Sequence, residues 1–173
     1  PCRAEGKRTG ALESMAQPDW RARDDSAISV GDGCTIAGLW KGLKDLYASG
    51  FIDRRPRLIS AQAEGCCPRN RAIEAGERWR PMEENTLADS IAVGVPRNAD
   101  KALAAVRVSD GVAVNVSDEE ILAAMRLLGR TQGGVGTPAG VTGTAGVRKG
   151  LELGVVFPDA PVGSVPPGTG RQA

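Results

Sequence analysis

The stretch ISVGDGCTIAGLWKGL, residues 28–43, places a glycine-rich turn between a short apolar run and a helix-like repeat. The apolar residues 27–30 lie between two aspartates and Gly31, a pattern that is typical of a short buried strand. From Thr35 onward, apolar side chains recur at spacings of three and four, which predicts one face of an amphipathic helix that ends at Gly50. Strand, turn and helix in this order form the first half of a βαβ unit.

The second half of that unit follows directly. Residues 57–65, RLISAQAEG, alternate in character and end at a glycine, so they predict a second strand. Two strands joined through one helix are parallel, because the crossover returns the chain to the same edge of the sheet. The sequence therefore predicts an α/β fold with a mostly parallel sheet.

Weaker patterns place further elements along the chain. They predict helices over residues 9–17, 67–76, 84–94, 100–111, 117–134 and 139–154, and strands over 112–116 and 155–157. The helix from Ser117 has the clearest start, because Glu120 completes a capping box. Its buried stripe is expected to contain Ile121, Leu122, Met125 and Leu128. Residues 158–173 are rich in proline and glycine, so we expect one domain over 1–157 and an irregular tail over 158–173.

Charge and composition argue against two classes of partner. The chain has 22 basic and 21 acidic residues and only 3% aromatic residues, so neither a basic patch nor a stacking surface for nucleic acid is expected. No apolar run approaches the roughly 18 residues that a membrane span requires, so no membrane partner is expected. The charged N-terminal residues lack an apolar signal region, which favours a cytoplasmic location.

The absence of histidine excludes further chemistry. The sequence contains no histidine, so this chain is neither a Ser-His-Asp nor a Cys-His hydrolase. The cysteines at 2, 34, 66 and 67 form no CxxC pair, so no metal site is expected and free thiols are favoured.

The local pattern does not decide whether the turn at residues 31–35 binds an anion. Backbone N–H groups at a helix N-terminus favour an anion, and Gly31 and Gly33 permit close approach of a phosphate. Thr35 offers a hydroxyl and a cap for the helix. The loop matches neither GxGxxG nor a Walker motif, so on this pattern alone an ordinary strand-to-helix turn is favoured. Cys34 is either a thiol activated by the helix N-terminus or a donor of its backbone amide only.

The wider sequence resembles the threonine synthase family, which are pyridoxal-phosphate enzymes of the tryptophan synthase β-like group (fold type II). Members read V-G-x-G-x-x-I/L-x-G-x-W-K-G, then a Leu-Ile-Asp-Arg-x-Pro-Arg turn, then a strand ending Gln-Ala-Glu-Gly. The matching positions here are Gly31, Gly33, Ile36, Gly38, Trp40 to Gly42, Ile52 to Arg54, Pro56, Arg57 and Gln62 to Gly65. Residues 5–9, EGKRT, and 114–134 are similar to flanking family segments, so the resemblance covers about residues 5–154.

This resemblance implies a fold, a cofactor and a site. The fold is a three-layer α/β/α arrangement, here part of the family's large domain. The cofactor is pyridoxal 5′-phosphate, and its phosphate is implied to lie on Gly31, Asp32, Gly33, Cys34 and Thr35. The implied reaction converts O-phosphohomoserine and water to threonine and phosphate, so the partner is a small-molecule substrate, O-phosphohomoserine or a related amino acid. The resemblance is compatible with a homodimer in the full-length form.

Three departures from the family pattern bear on activity. The Ser-x-Lys-Asp motif that carries the Schiff-base lysine has no match here, so no catalytic residue is assigned; Lys7, Lys41 and Lys44 occupy other positions. Residues 137–141 read TPAGV where members have Glu-Pro-Ala-Ser-Ala. Pro167 stands where members place a threonine against the pyridine nitrogen, and Thr169 is displaced from that position. We therefore expect weak cofactor affinity and no activity from this chain alone.

The sequence starts at Pro1, and we expect it to be a fragment or a truncated gene product. Three alternatives stay open: a threonine dehydratase-like enzyme of the same fold, a cysteate synthase-like one, or a non-catalytic remnant. A dinucleotide-binding module is less favoured, because the loop lacks the third glycine and Glu64 lies too far along the chain.

Overall fold

The computed structural model describes residues 2–134 and 136–165, which form a four-stranded parallel sheet with helices on both faces. The strands are β1 (Asp25–Ser29), β2 (Arg57–Ala63), β3 (Val112–Val116) and β4 (Val162–Val165), in the order β3-β2-β1-β4. In register, Ala27 of β1 lies opposite Ile59 of β2 and Ser164 of β4. Helices cover both faces of the central strands, so β1 is buried along its whole length.

The helices form two layers. They are α1 (Cys2–Gly6), α2 (Thr9–Ala16), α3 (Cys34–Ala48), α4 (Pro68–Ala75), α5 (Ala99–Val108), α6 (Asp118–Gln132) and α7 (Pro138–Glu152), with short 3₁₀ turns at Glu64–Cys66 and Asp89–Ile91. Buried side chains of α2, α3 and α5 pack with Ile28 and Leu58 on one face of the sheet. Buried side chains of α6 and α7 pack with Ala27 and Ile59 on the other. Neighbouring strand residues thus serve opposite faces, as the pleat requires.

Several predictions from local pattern are confirmed. The βαβ unit is β1-α3-β2, and it is parallel. The capping box of α6 is formed, because the Ser117 hydroxyl accepts the Glu120 N–H at 3.3 Å and the Glu120 carboxylate accepts the Ser117 N–H at 2.6 Å. Leu122 departs from the predicted buried stripe, since it is 37% exposed on the outer face of α6.

The helix predicted over residues 84–94 is wrong apart from the single 3₁₀ turn at Asp89–Ile91. In this segment, side-chain carboxylates accept backbone N–H groups that would otherwise bond to carbonyl oxygens within a helix. The Leu87 N–H donates to Asp118 at 3.0 Å, and the Gly94 N–H donates to Glu84 at 2.8 Å. The segment therefore lies as an extended loop beside the carboxyl ends of the strands.

Two predictions near the C-terminal end are also wrong. Residues 155–157 are not a strand, because the N–H groups of Val155 and Val156 both donate to the Gly150 carbonyl and close the end of α7. The segment predicted as an irregular tail contains β4, which pairs with β1 along residues 162–165. The partner strand supplies the hydrogen bonds that make this short sequence a strand. Residues 166–173 of the predicted tail lie outside the described residues.

Candidate functional site

The loop of residues 31–35 lies at the carboxyl end of β1. From β1 the chain crosses to β2 on one side, while β4 occupies the other side, so β1 is the point where the strand order reverses. In open parallel sheets, ligands bind in the crevice at this point. All the residues that the resemblance implies, Gly31 to Thr35, line one cavity of about 440 Å³ there.

Two glycines allow the loop to pass close to its neighbours. Gly33 has φ +88° and is the residue before α3, and a Cβ there would lie 2.8 Å from the Asn98 carbonyl oxygen. A Cβ on Gly31 would lie 2.9 Å from the Cα of Ile91. Gly33, and not Thr35, occupies the cap position of α3, and no side chain caps this helix end. The expected capping role of Thr35 is therefore wrong.

Several backbone N–H groups of this loop have no hydrogen-bond acceptor among the described residues. Among the described residues, the N–H groups of residues 31–36 make no hydrogen bond to backbone or side chain. The last of them belong to the first turn of α3, where N–H groups have no helical partner and the helix dipole is positive. The residues that carry these donors all line the cavity. Such a set is suited to an anion with several oxygens, such as a phosphate.

Asp32 is the acidic residue of this loop, and its carboxylate is engaged by the segment before α5. One oxygen accepts the Arg97 N–H at 2.7 Å, and the other accepts the Cys34 thiol at 3.1 Å. The Asp32 carbonyl oxygen also accepts the Asn98 N–H at 3.2 Å. These contacts tie the loop to the N-terminus of α5, where a negative charge is favourable.

The Cys34 thiol is part of the same network. Its sulfur accepts the Asn98 side-chain amide at 2.9 Å and faces Asp32. Burial raises the pKa of this thiol above its ordinary value, and the hydrogen bond to Asp32 raises it further. The thiol is protonated at neutral pH, so the structure favours a role through the backbone amide over an activated nucleophile.

The N-terminus of α7 lies on the same cavity. The Thr137 hydroxyl accepts the Gly140 N–H at 3.1 Å and caps the helix. Ser29 of β1 accepts the Gly143 N–H at 2.8 Å and donates to the Gly140 carbonyl at 3.2 Å. These bonds hold α7 against β1, so a second positive helix end faces the cavity.

Of the other walls of this cavity, sequence reasoning linked only the segment at Thr137 to activity, through the family resemblance, and it missed Lys7, Ser29 and Ser90. Lys7, Ser29, Ser90 and Thr137 line it beside the loop, from four separate segments. No motif joins them, although Thr-Pro at 137–138 is a recognisable helix start. Lys41 and Lys44 are not among the lining residues, and Lys41 is an exposed residue whose amine pairs with Glu5 at 2.6 Å.

Over residues 2–134 and 136–165, no three His, Cys, Asp or Glu side chains are grouped to hold a metal ion. Among the same residues, no helix has the length and apolar character needed to cross a bilayer. Pro167 and Thr169 lie outside the described residues.

This chain is similar to known proteins over most of its length. The family described as pyridoxal-phosphate dependent enzymes matches residues 1–168. The threonine synthase of Methanosarcina acetivorans is 40% identical over 164 residues, which are 94% of this chain and 40% of that relative. The threonine synthase of Methanocaldococcus jannaschii is 37% identical over 175 residues, covering 98% of this chain and 42% of that relative. The chain therefore spans about two fifths of the length of these relatives.

A solved structure supports the fold. The crystal structure of serine racemase from Dictyostelium discoideum matches with a TM-score of 0.74 at 22% identity, over 97% of this chain and 50% of that one. At this identity the likeness concerns the fold alone. It confirms the expected three-layer parallel architecture, and the sequence relatives confirm the resemblance to threonine synthase.

Proposed function

Because the chain belongs to the pyridoxal-phosphate dependent enzyme family, we propose that residues 31–35 bind the 5′-phosphate of that cofactor, as part of a threonine synthase-type lyase. The observation that carries the proposal is the run of N–H groups over residues 31–36, which line one cavity and have no partner among the described residues. Gly33, with its positive φ, brings this backbone within reach of a ligand. When bound, the cofactor supplies an electron sink for carbanion chemistry at the substrate.

The residues of this chain hold and orient the phosphate end of the cofactor. The amides of residues 31–35 donate to the phosphate oxygens, and the α3 and α7 N-termini favour its negative charge. Lys7, on the same cavity, adds a positive charge that attracts anionic ligands. Asp32 is held by Arg97 and Cys34 and braces the loop.

The proposed reaction is that of a whole threonine synthase-type protein, and this chain spans about two fifths of the length of its threonine synthase relatives. It is the conversion of O-phosphohomoserine and water to threonine and phosphate. The names of the two sequence relatives support this substrate over that of a dehydratase. The sequence has no match to the Ser-x-Lys-Asp motif that carries the cofactor-binding lysine in the family, so no residue of this chain is proposed for that role.

Binding of the cofactor by this chain tests the site. Pyridoxal phosphate and inorganic phosphate are titrated against the chain by calorimetry, and pyridoxal, which lacks the phosphate, is the control ligand. We expect inorganic phosphate to compete with pyridoxal phosphate, and pyridoxal to bind at least about tenfold more weakly. Equal affinity for pyridoxal and pyridoxal phosphate would refute the phosphate site.

The substrate is tested on the whole protein. Release of phosphate from O-phosphohomoserine with formation of threonine is the expected result. Release of ammonia from threonine, without phosphate release from O-phosphohomoserine, would support the dehydratase-like alternative instead.

A further inference from the structure

Arg69 is a buried cation that the proposed site does not yet explain. It lies on α4 and is 1% exposed, the largest of the fully buried side chains. Its Nη2 donates to the Val30 carbonyl oxygen at 3.0 Å. Among the described residues, its Nε and Nη1 have no hydrogen-bond partner, and the side chain forms no salt bridge. A buried charge without a counter-charge is unfavourable, so its retention calls for a compensating anion.

Within the described residues, the one hydrogen bond of the Arg69 side chain is to the first peptide of the loop. The Val30 carbonyl and the Gly31 N–H belong to the same peptide group. That carbonyl also accepts the Gln62 side-chain amide at 3.1 Å, so two donors meet on it. Donation to a carbonyl polarises its peptide, which makes the N–H on the other side a stronger donor. The Gly31 N–H is one of the unpaired donors on the cavity.

Arg69 keeps its charge at neutral pH. Burial lowers the pKa of Arg69 to about 10, and the nearby carboxylate of Asp32 opposes this change. Asp32 is itself engaged by the Arg97 N–H and the Cys34 thiol. The positive charge beside the loop is therefore only partly offset within the described residues.

We infer that Arg69 is a positioning residue that supplies buried positive charge to the phosphate loop through the Val30–Gly31 peptide. This inference rests on the proposed function, because the anion it serves is the phosphate bound at residues 31–35. In the absence of that anion, Arg69 destabilises the fold. With the anion bound, the same charge strengthens the hydrogen bond from Gly31.

Variants of Arg69 separate charge from packing. Arg69→Met keeps the length and removes the charge, Arg69→Gln keeps an amide donor without charge, and Arg69→Lys keeps the charge. Arg71→Met is the matched control, since Arg71 is an exposed residue of the same helix. The Kd of inorganic phosphate, pyridoxal phosphate and pyridoxal is measured by calorimetry for each variant of this chain, and urea unfolding is followed with and without phosphate.

We expect Arg69→Met and Arg69→Gln to bind both phosphate ligands roughly tenfold more weakly, and Arg69→Lys to stay within about threefold of the wild type. Affinity for pyridoxal and all affinities of Arg71→Met are expected to be unchanged. Without phosphate, Arg69→Met is expected to unfold at a urea concentration no lower than that of the wild type.

Three results would overturn the inference. Unchanged phosphate affinity in folded Arg69→Met, with a wild type that binds, overturns the inference and leaves the proposed function standing. Equal losses in Arg69→Lys and Arg69→Gln assign Arg69 to packing only. A wild-type chain that binds neither phosphate nor pyridoxal phosphate overturns the proposed function together with the inference. If Arg69→Met does not fold, the comparison of Arg69→Gln with Arg69→Lys decides.

Discussion

Substituting Gly33 by alanine tests the geometry of the phosphate loop most directly. Gly33 has φ +88°, and an L-residue in the left-handed region costs roughly 1–2 kcal/mol. A new Cβ would also lie 2.8 Å from the Asn98 carbonyl oxygen and 3.0 Å from the Cβ of Ala102. Both neighbours belong to the start of α5 and cannot move as a flexible side chain would. Forcing atoms into a packed site costs a further 1–3 kcal/mol or so, so we expect Gly33→Ala to lose about 2–5 kcal/mol of unfolding free energy.

The same helix offers a control. Gly50, at the other end of α3, has φ +73°, but a Cβ added there would meet no atom within 4 Å. Gly50→Ala therefore carries the backbone cost alone, which the reduced entropy of the unfolded chain partly offsets by about 0.4–1 kcal/mol. Urea unfolding of both variants gives the difference that belongs to the contacts of Gly33 with α5.

The phosphate affinity of Gly33→Ala is the second quantity that tests the loop. Displacing the loop misaligns amides that donate to a charged group, each of which contributes about 1.5–3 kcal/mol. We expect the affinity for inorganic phosphate to fall at least about tenfold in Gly33→Ala and to be unchanged in Gly50→Ala. A Gly33→Ala variant that unfolds like Gly50→Ala and binds phosphate like the wild type would refute the reasoning.

Three further predictions concern charged and nucleophilic groups. Asp32→Asn is expected to bind phosphate about threefold more tightly, because it removes a negative charge beside the loop while keeping an acceptor for Arg97; weaker binding in calorimetry would contradict this. The raised pKa of Cys34 predicts slow alkylation by iodoacetamide at pH 7, and the rate is expected to increase above the ordinary thiol pKa and to decrease when phosphate is bound. Peptide mass spectrometry measures the alkylation rate, and fast labelling at pH 7 would contradict a protonated thiol. Asp25→Asn removes the bidentate salt bridge to Arg57, whose two N–O distances are 2.6 and 2.9 Å, and is expected to lower the unfolding free energy by about 3 kcal/mol. A urea midpoint equal to that of the wild type would show that solvent already screens the pair.

Local signals explain which elements could be predicted. The β1-α3-β2 unit, strand β3 and the capping box at Ser117 depend on residues that are neighbours in sequence, so their patterns are readable without a fold. The segment 84–94 contains helix-forming residues, but Asp118 binds its backbone from a distant helix. Strand β4 has too short a pattern to be recognised, and it exists because β1 offers it an open edge.

The sequence by itself determined the strand-turn-helix conformation of residues 31–35, since Gly31 to Thr35 follow a strand and enter a helix within a few residues. Their role as a phosphate site is our proposal and comes from the family resemblance. It also determined the family, because the matching positions keep their order and spacing over most of the chain. Only the tertiary structure decided what surrounds the loop. Lys7, Thr137 and Arg69 reach it from segments that are separated by tens of residues, and the parallel sheet brings these segments to one edge. Side chains that the fold brings together from distant segments leave no periodic pattern in the sequence. A backbone turn, in contrast, requires particular residues, such as glycine, at its own positions.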